Sequence, residues 1–498
     1  LAAPLALGCS GFADGTEEGG ANANDRSSGN AEGERLETGA MAISPSGAYI
    51  VARRNTTTLI VDIRRQKVVE LDIEGERFAF SKTREVVYAV LAGLKGVVAI
   101  DLGTAKELWR TIPAFTSNDG AYFARVTDDD TTLLVADYDR LFFIDPSSGD
   151  VRTVTKVGAR PVDVELIPGD RHALVVGATS WVDGGPHTPV SLVGVADAKV
   201  STIDVPNCAA PIAVLPDGSR AMLSPTFCTP GAEHHAKGRK NPDPVSIIDI
   251  DRTAGTLAFL RNLPGFGPVA LLDDRSGGDP RAVAYLDTKR IDPDMFDDKS
   301  QIPGPGAPQF HLMTIEPRSM KFDLHPIGDK LPRFAPSKDG KSLLVDTSVT
   351  TVRVEASASV TIDTNGTIRA EVKGAFGDDS GALFGVFDLE KKVYLPFTGP
   401  AASLDRFVQL GDGSRVFTLK DNGRGGDLFA IDVVGRASFS LGRSLRDIGI
   451  LPDGRTLVLR VRLEDTAEGH PREEFCITTD VTTCSARIEH VSPVPMRD

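Results

Sequence analysis

The sequence predicts an all-β fold assembled from repeated four-stranded antiparallel sheets. Three observations carry that reading. A strand–turn–strand unit recurs from residue 40 onward, a second hairpin follows each copy, and no useful length of chain has helical periodicity. Two consecutive hairpins make one four-stranded sheet. Such a sheet repeated every ~40–50 residues is the sequence mark of a β-propeller blade.

The first hairpin is clearest at 205–227, where Leu215-Pro216-Asp217-Gly218 separates two short apolar runs. Proline suits the first corner of such a turn, and glycine suits a corner where φ is positive. Related units stand at 42–51, 334–345, 408–417 and 450–459, with weaker copies near Ser81, Thr127, Pro168 and Asp273. Nine such signals start near residues 42, 79, 125, 165, 213, 270, 333, 407 and 448. The second hairpin reads as an apolar run, an Asp, a short polar turn and another β-rich run. Asp62, Asp101, Asp145, Asp249 and Asp432 mark it, and an Asp at a strand end caps a turn by accepting backbone N–H bonds. The segment 333–406 holds two candidates for this hairpin, 359–370 and 384–395. The count predicts a single propeller at 39–498 of eight or nine blades, with seven as the alternative.

Composition narrows the partners. The 498 residues carry a net charge of −14, which argues against nucleic acid, because phosphate binding needs a basic face. No run approaches the roughly 18 apolar residues of a membrane-spanning helix.

The N-terminal stretch 1–9 is apolar up to Cys9 and resembles the end of a bacterial lipoprotein signal peptide, with Ala6 where that family prefers Leu. The resemblance implies lipidation at Cys9 and, from Ser10, sorting to the outer membrane. The segment 10–38 is rich in Gly, Ala, Asn, Ser, Glu and Asp, and it lacks the apolar residues needed to order itself. As a random coil it would tether the body roughly 30 Å from its anchor. The only contact with the membrane is then through the lipid.

Four further cysteines are spaced as pairs. Cys208 and Cys228 are equidistant from Gly218, and Cys476 and Cys484 from Asp480, so each pair is expected to face across a hairpin and form a disulfide. Disulfides belong to an oxidising compartment.

Four insertions interrupt the repeat, at 180–189, 230–244, 288–308 and 463–472, each between the second and third strand of its blade. Equivalent loops share one face of a propeller, which makes that face the expected binding surface. The candidate residues on it are Trp181, His187, His234, His235, Lys237, Arg239, Lys240, Asp292, Asp294, Phe296 and His470. The histidines lack a metal-ligand spacing, and no metal site or catalytic set is assigned. The acidic runs 273–279 and 292–298 offer oxygen ligands of the kind Ca²⁺ takes, without matching a calcium loop; no other cofactor is expected.

Leu-Pro-Asp-Gly together with the Ile-Asp hairpin resembles the bacterial surface propellers of the YVTN and WD40-like type, over roughly residues 40–491. The stretch from Ala99 through Asp101 and Thr104 to Trp109 resembles one tryptophan-docking repeat of quinoprotein dehydrogenases, with Ala105 in place of that family's Gly. Two Trp in the whole chain do not sustain that pattern as a quinone site. The expectation is a non-catalytic, lipid-anchored envelope propeller that binds an envelope or surface protein through its decorated face. The alternative is a secreted propeller hydrolase or lyase acting on a glycan or peptide. A third reading is self-assembly through blade edges, the oligomeric state being left open.

Overall fold

In a computed structural model, nine four-stranded antiparallel sheets follow one another along the chain, at 41–71, 75–111, 121–156, 161–205, 212–263, 266–328, 333–396, 406–445 and 447–491. The structure describes residues 41–491 apart from 92–95, 113–120, 183–184, 210–211, 225–243, 273–279, 331–332, 338–339, 347–357, 363–367, 373–383, 399–403, 422–425, 464–471 and the single positions 159, 170, 405 and 482. In each sheet, the first strand is innermost and the last outermost. The first strand of blade 9, Asp447–Ile450, lies against that of blade 1, Met41–Ile43, which closes the ring. Nine is the higher of the two blade numbers expected, and each of the nine predicted starts falls within or next to an inner strand.

The sequence builds these sheets because its apolar runs are rich in Val, Ile, Leu and Phe and are buried on both faces. Among the described residues, nine buried apolar clusters fill the spaces between consecutive blades, one cluster to each space. The cluster between blades 9 and 1 includes Phe475, Val458 and Ile488 packed on Ile50, Leu59 and Met41. Every blade therefore has the same two neighbours' worth of core, including the pair at the ends of the chain.

The turn chemistry holds in detail. Asp62, Asp101, Asp145, Asp388 and Asp432 each accept a backbone N–H two or three residues on, at 2.7–2.9 Å. In blade 5 that role falls to Asp251, which accepts from Thr253 and Ala254 (both 2.9 Å). Asp249 instead pairs with Arg220 at 3.2 Å, because the strand runs two residues further than its apolar run suggested. Four residues after the capping Asp, these turns need a left-handed backbone. Glycine meets that need at Gly149 and Gly255, but Gln66, Ala105, Lys392 and Arg436 are forced there with φ of 50–55°.

The structure chooses between the two hairpins expected in 333–406 and changes one local expectation. In blade 7 the third and fourth strands are Phe384–Asp388 and Val393–Pro396, while the hairpin Ala358–Ile362 with Ile368–Val372 forms a separate two-stranded sheet. It is a fifth insertion between second and third strands. The disulfide Cys476–Cys484 is present, with Cα atoms 5.5 Å apart, but the two do not face each other in the ladder. Cys476 pairs with Arg487, and Cys484 lies in the turn before the last strand. The bond staples a turn to a strand, because the turn is longer than the symmetric hairpin expected around Asp480.

Tryptophan has a structural use. The Trp109 indole stacks on Tyr88 (ring centroids 5.8 Å apart) and donates from Nε1 to the Pro146 carbonyl of the next blade at 3.1 Å. The lone docking-like repeat thus ties blade 2 to blade 3.

Candidate binding face

Alternating strand direction assigns the loops to faces. First-to-second and third-to-fourth turns share one face. Second-to-third links share the other with the connections between blades. On the first face every described turn is short. On the second, blades 1 and 3 use only 55–56 and 138–139, whereas blades 5, 6, 7 and 9 carry 224–244, 288–309, 347–383 and 464–471. Blade 4 adds the hairpin Ser180–Val182 with the start of Gly185–Gly194. The decoration is one-sided, and it spares blades 1 to 3.

The blade 6 insertion has the fullest description. It contains three 3-10 turns, Thr288–Arg290, Pro293–Met295 and Lys299–Gln301, each capped by an Asp side chain accepting the N–H two residues on. Asp292 is one of these caps, at 3.1 Å from the Asp294 nitrogen. Asp297 pairs with Arg261 at 2.6 Å, and Arg261 also donates to the Met295 carbonyl at 3.2 Å. Phe296, expected on the binding surface, is 2% exposed and meets Phe322 edge to face at 5.6 Å. It anchors the loop to the blade. Arg290 lies over the Phe266 ring, 5.2 Å from its centroid, which brings the insertion to the inner strand. Asp292 and Asp298 serve as caps and Asp297 as an ion-pair partner, and among the described residues no three His, Cys, Asp or Glu side chains converge as a metal site.

Blade 4 places Trp181 opposite Pro186 and Ser180 opposite His187 in its extra hairpin. His187 Nδ1 sits 2.8 Å from Asp204 Oδ2, an exposed pair on the same face. Beneath it runs a buried neutral network. Thr188 donates to the Asn207 carbonyl (2.6 Å), and the Asn207 amide donates to Asn262 (2.7 Å), which also accepts from Ser246 (2.9 Å). This network fixes the chain just before Cys208, which is disulfide-bonded. Its expected partner Cys228 lies outside the described residues, as do Cys9, His234, His235, Lys237, Arg239, Lys240, His470 and the acidic run 273–279. The described ladder pairs Ile212 with Leu223, a register that is one residue off the symmetry about Gly218.

A second set of polar residues went unassigned in the sequence. Many inner strands carry a charged residue just before or within the apolar triplet that precedes their turn. Asp163 accepts the Ile212 N–H of blade 5 at 2.8 Å, and Asp447 accepts the Met41 N–H of blade 1 at 2.8 Å. Arg406 donates to the Arg446 carbonyl at 3.3 Å. Arg77 lies over Phe123, 5.5 Å from the ring centroid, and Arg125 reaches Glu165 at 3.9 Å. Each reaches forward to the next blade. Burial pushes the Asp447 carboxyl above its ordinary pKa, against the pull of Arg406 and two backbone N–H groups. The repeated position was visible in the sequence, but its direction toward a neighbour was not. These charges on the channel side act as latches between blades.

The seam between blades 9 and 1 carries a buried ion pair. Arg460 is fully buried and binds both carboxylate oxygens of Glu473, at 3.1 and 2.9 Å. Its other nitrogen donates across the seam to the Arg53 carbonyl at 3.0 Å. At the outer edge, His490 Nε2 lies 3.0 Å from Glu70 Oε2, and Glu70 also accepts from Thr57 at 2.8 Å.

No helix among the described residues is long and apolar enough to cross a membrane. No family model matches the chain, and no curated protein matches it. Solved structures do. The chain is similar to the dihydro-heme d1 dehydrogenase NirN, at 12% identity over 92% of this chain and 75% of that one, with a TM-score of 0.46. It is similar to the C-terminal WD40 domain of Sif2 at 9% identity, 86% and 93% coverage and a TM-score of 0.43. It is also similar to hydrazine synthase of Kuenenia stuttgartiensis at 14% identity, 63% and 93% coverage and a TM-score of 0.37. At these identities the likeness is one of fold alone.

Proposed function

We propose that this protein is a non-catalytic propeller of the bacterial cell envelope that binds another envelope or surface protein through its decorated face. In this reading Cys9 carries the lipid that holds it to the outer membrane, and 10–38 is the tether. The observation that carries the proposal is the placement of five insertions on one face, opposite a face of short turns. Loops that stacking does not require, kept to one side, are where a repeat protein presents its contacts. The Cys476–Cys484 disulfide supports an oxidising compartment. The carboxylates Asp163 and Asp447, which a hydrolase in the channel would call on, are each bonded to the neighbouring blade.

The test is crosslinking of the native protein in its own envelope, with neighbours identified by mass spectrometry. One reproducible protein partner joined through 180–189, 288–309 or 464–471 supports the proposal. Turnover of a surface glycan with no protein captured overturns it. Cys9→Ser must also release the protein from the membrane fraction; retention would remove the anchor from the account.

A further inference from the structure

We propose that the blade 6 insertion, 288–309, is a lid that acid opens, and that His311 at its base is the sensor. The insertion leaves the strand Arg281–Asp287 and returns as the strand Phe310–Glu316. Its base is closed by the Thr288 N–H, which donates to the Gln309 carbonyl at 2.8 Å. His311 is the second residue of the returning strand and lies opposite Leu286 on one side and Pro326 on the other. Paired residues of antiparallel strands share a face of the sheet. Leu286 faces the joint with blade 5, so His311 does too. Phe296, Ile291 and Ile302 of the insertion pack into that same joint. The imidazole therefore sits at the foot of the lid, on the side the lid covers, and is 5% exposed.

Nothing described around His311 answers a positive charge on it. Its Nδ1 is buried and has no hydrogen-bond partner among the described residues. Burial holds its pKa below the ordinary histidine value. The carboxylates on the neighbouring elements are engaged elsewhere or exposed. Asp287, Asp292 and Asp298 cap the three 3-10 turns, Asp297 pairs with Arg261 of blade 5, and Asp329 accepts the Gln309 N–H at 2.9 Å. Asp294 is exposed. Lys289, Arg290 and Lys299 of the lid, with Arg261, would oppose a further positive charge. On the other face of blade 6, His325 Nε2 lies 3.1 Å from Thr314 Oγ1 and its ring lies against Phe387. Burial lowers the His325 pKa as well, and Lys392 and His311 lower it further against the pull of Asp323.

A protonated His311 is stable only where water reaches it, because an unpaired buried charge is costly. The strands beside it are held by full ladders, whereas the lid is held by one aromatic anchor, an exposed ion pair and three single turns. The weakest element moves first. The sign follows from linkage. A histidine whose pKa is lowered in the closed state favours closure fully above its open-state value of about 6.5, and that contribution fades as pH falls below it. One proton is coupled to opening, so the open fraction rises by up to about tenfold per pH unit below about 6.5. The device does not depend on what the decorated face binds.

The test is hydrogen exchange of the full chain, followed by mass spectrometry between about pH 7.5 and 5 and corrected for the intrinsic pH dependence of amide exchange. Protection of 288–309 must fall by up to about tenfold per pH unit below about 6.5, while the blade 1 strands at 49–62 keep theirs. His311→Leu must abolish the fall and His325→Gln must retain it. Lid protection that stays flat, that falls equally in His311→Leu, or that falls together with blade 1 overturns the proposal. Exchange at the imidazole C2 of His311 gives a readout that needs no His311 variant. Its titration must lie below about 6.5 in the wild type and move toward that value in Phe296→Ala, which removes the lid's anchor. A His311 titration that Phe296→Ala leaves unmoved also overturns it.

Discussion

Replacing Glu473 with Ala is expected to open the ring at its seam. Glu473 is 2% exposed and supplies both oxygens that neutralise Arg460, which is 0% exposed. Truncation leaves the guanidinium buried with its carboxylate gone, while its bond to the Arg53 carbonyl still holds it in place. Removing one partner of a buried pair costs about 3–5 kcal/mol. Hydrogen exchange followed by mass spectrometry reads the effect. A cost of about 3 kcal/mol is roughly a 150-fold faster exchange wherever opening of the seam exposes amides. That loss of protection should fall on 41–62 and 457–491 and spare blades 4 to 6. The apolar replacement Arg460→Met with Glu473→Leu removes both charges and should lie within about 1–2 kcal/mol of wild type, because the desolvation penalty disappears with the pair. Exchange at the seam unchanged in Glu473→Ala, or a double variant as damaged as the single one, would refute the reasoning.

Three further outcomes follow from the turns and the staple. Ala105, Lys392 and Arg436 hold left-handed backbone at φ of 53–55°, so glycine at each should stabilise by about 0.5 kcal/mol after its own entropy cost. The three sites lie in different blades and should add, and a triple variant with a lower urea midpoint would contradict this. Opening Cys476–Cys484, separated by 8 residues, with Ser at both positions should cost about 2.5 kcal/mol by loop entropy. The same preparation, mapped without reduction, should show Cys208 joined to Cys228. Acid should weaken the turns. Burial raises Asp217, but bonds from Ser219 and Arg318 outweigh it and leave the pKa at about 2; bonds from Ser147 and Arg152 hold Asp145 low as well. A carboxylate depressed in the folded state contributes stability above its unfolded pKa of about 4, and the contribution fades as pH falls toward 2. Asp145→Asn with Asp217→Asn should flatten denaturation midpoints between about pH 4 and 2, and an unchanged slope would contradict the capping role.

The repeat was legible because each blade writes two turns in Gly, Pro, Asp and Ser, residues with strict conformational uses. Even the degenerate copies at Ser81 and Thr127 form the same closed turn, with N–H bonds to Val86 and Thr132 at 2.9 and 3.0 Å. Details that depend on register were not legible. Cys476 and Cys484 looked symmetric about Asp480, but the third strand ends at Thr478 and the fourth starts at Ala486, so one cysteine falls in the turn. Phe296 sits in a polar, acidic run that reads as exposed, and only the packing of Met313 and Phe322 nearby shows why the ring turns inward. The inner-strand charges were plain in the sequence and without meaning there. Their partners lie on another blade, as far as 406 positions away for Met41 and Asp447. The decorated face was legible as insertions, since loop length needs no register.

The most direct test of the binding account places one photocrosslinking residue at a time on each face, at His187, Asp294 or Lys299 and at Ser148, Lys391 or Arg436, in protein expressed in its own envelope. The account predicts a discrete protein adduct from the first set and none from the second. Equal adducts from both sets, or adducts only from the short-turn face, would contradict it.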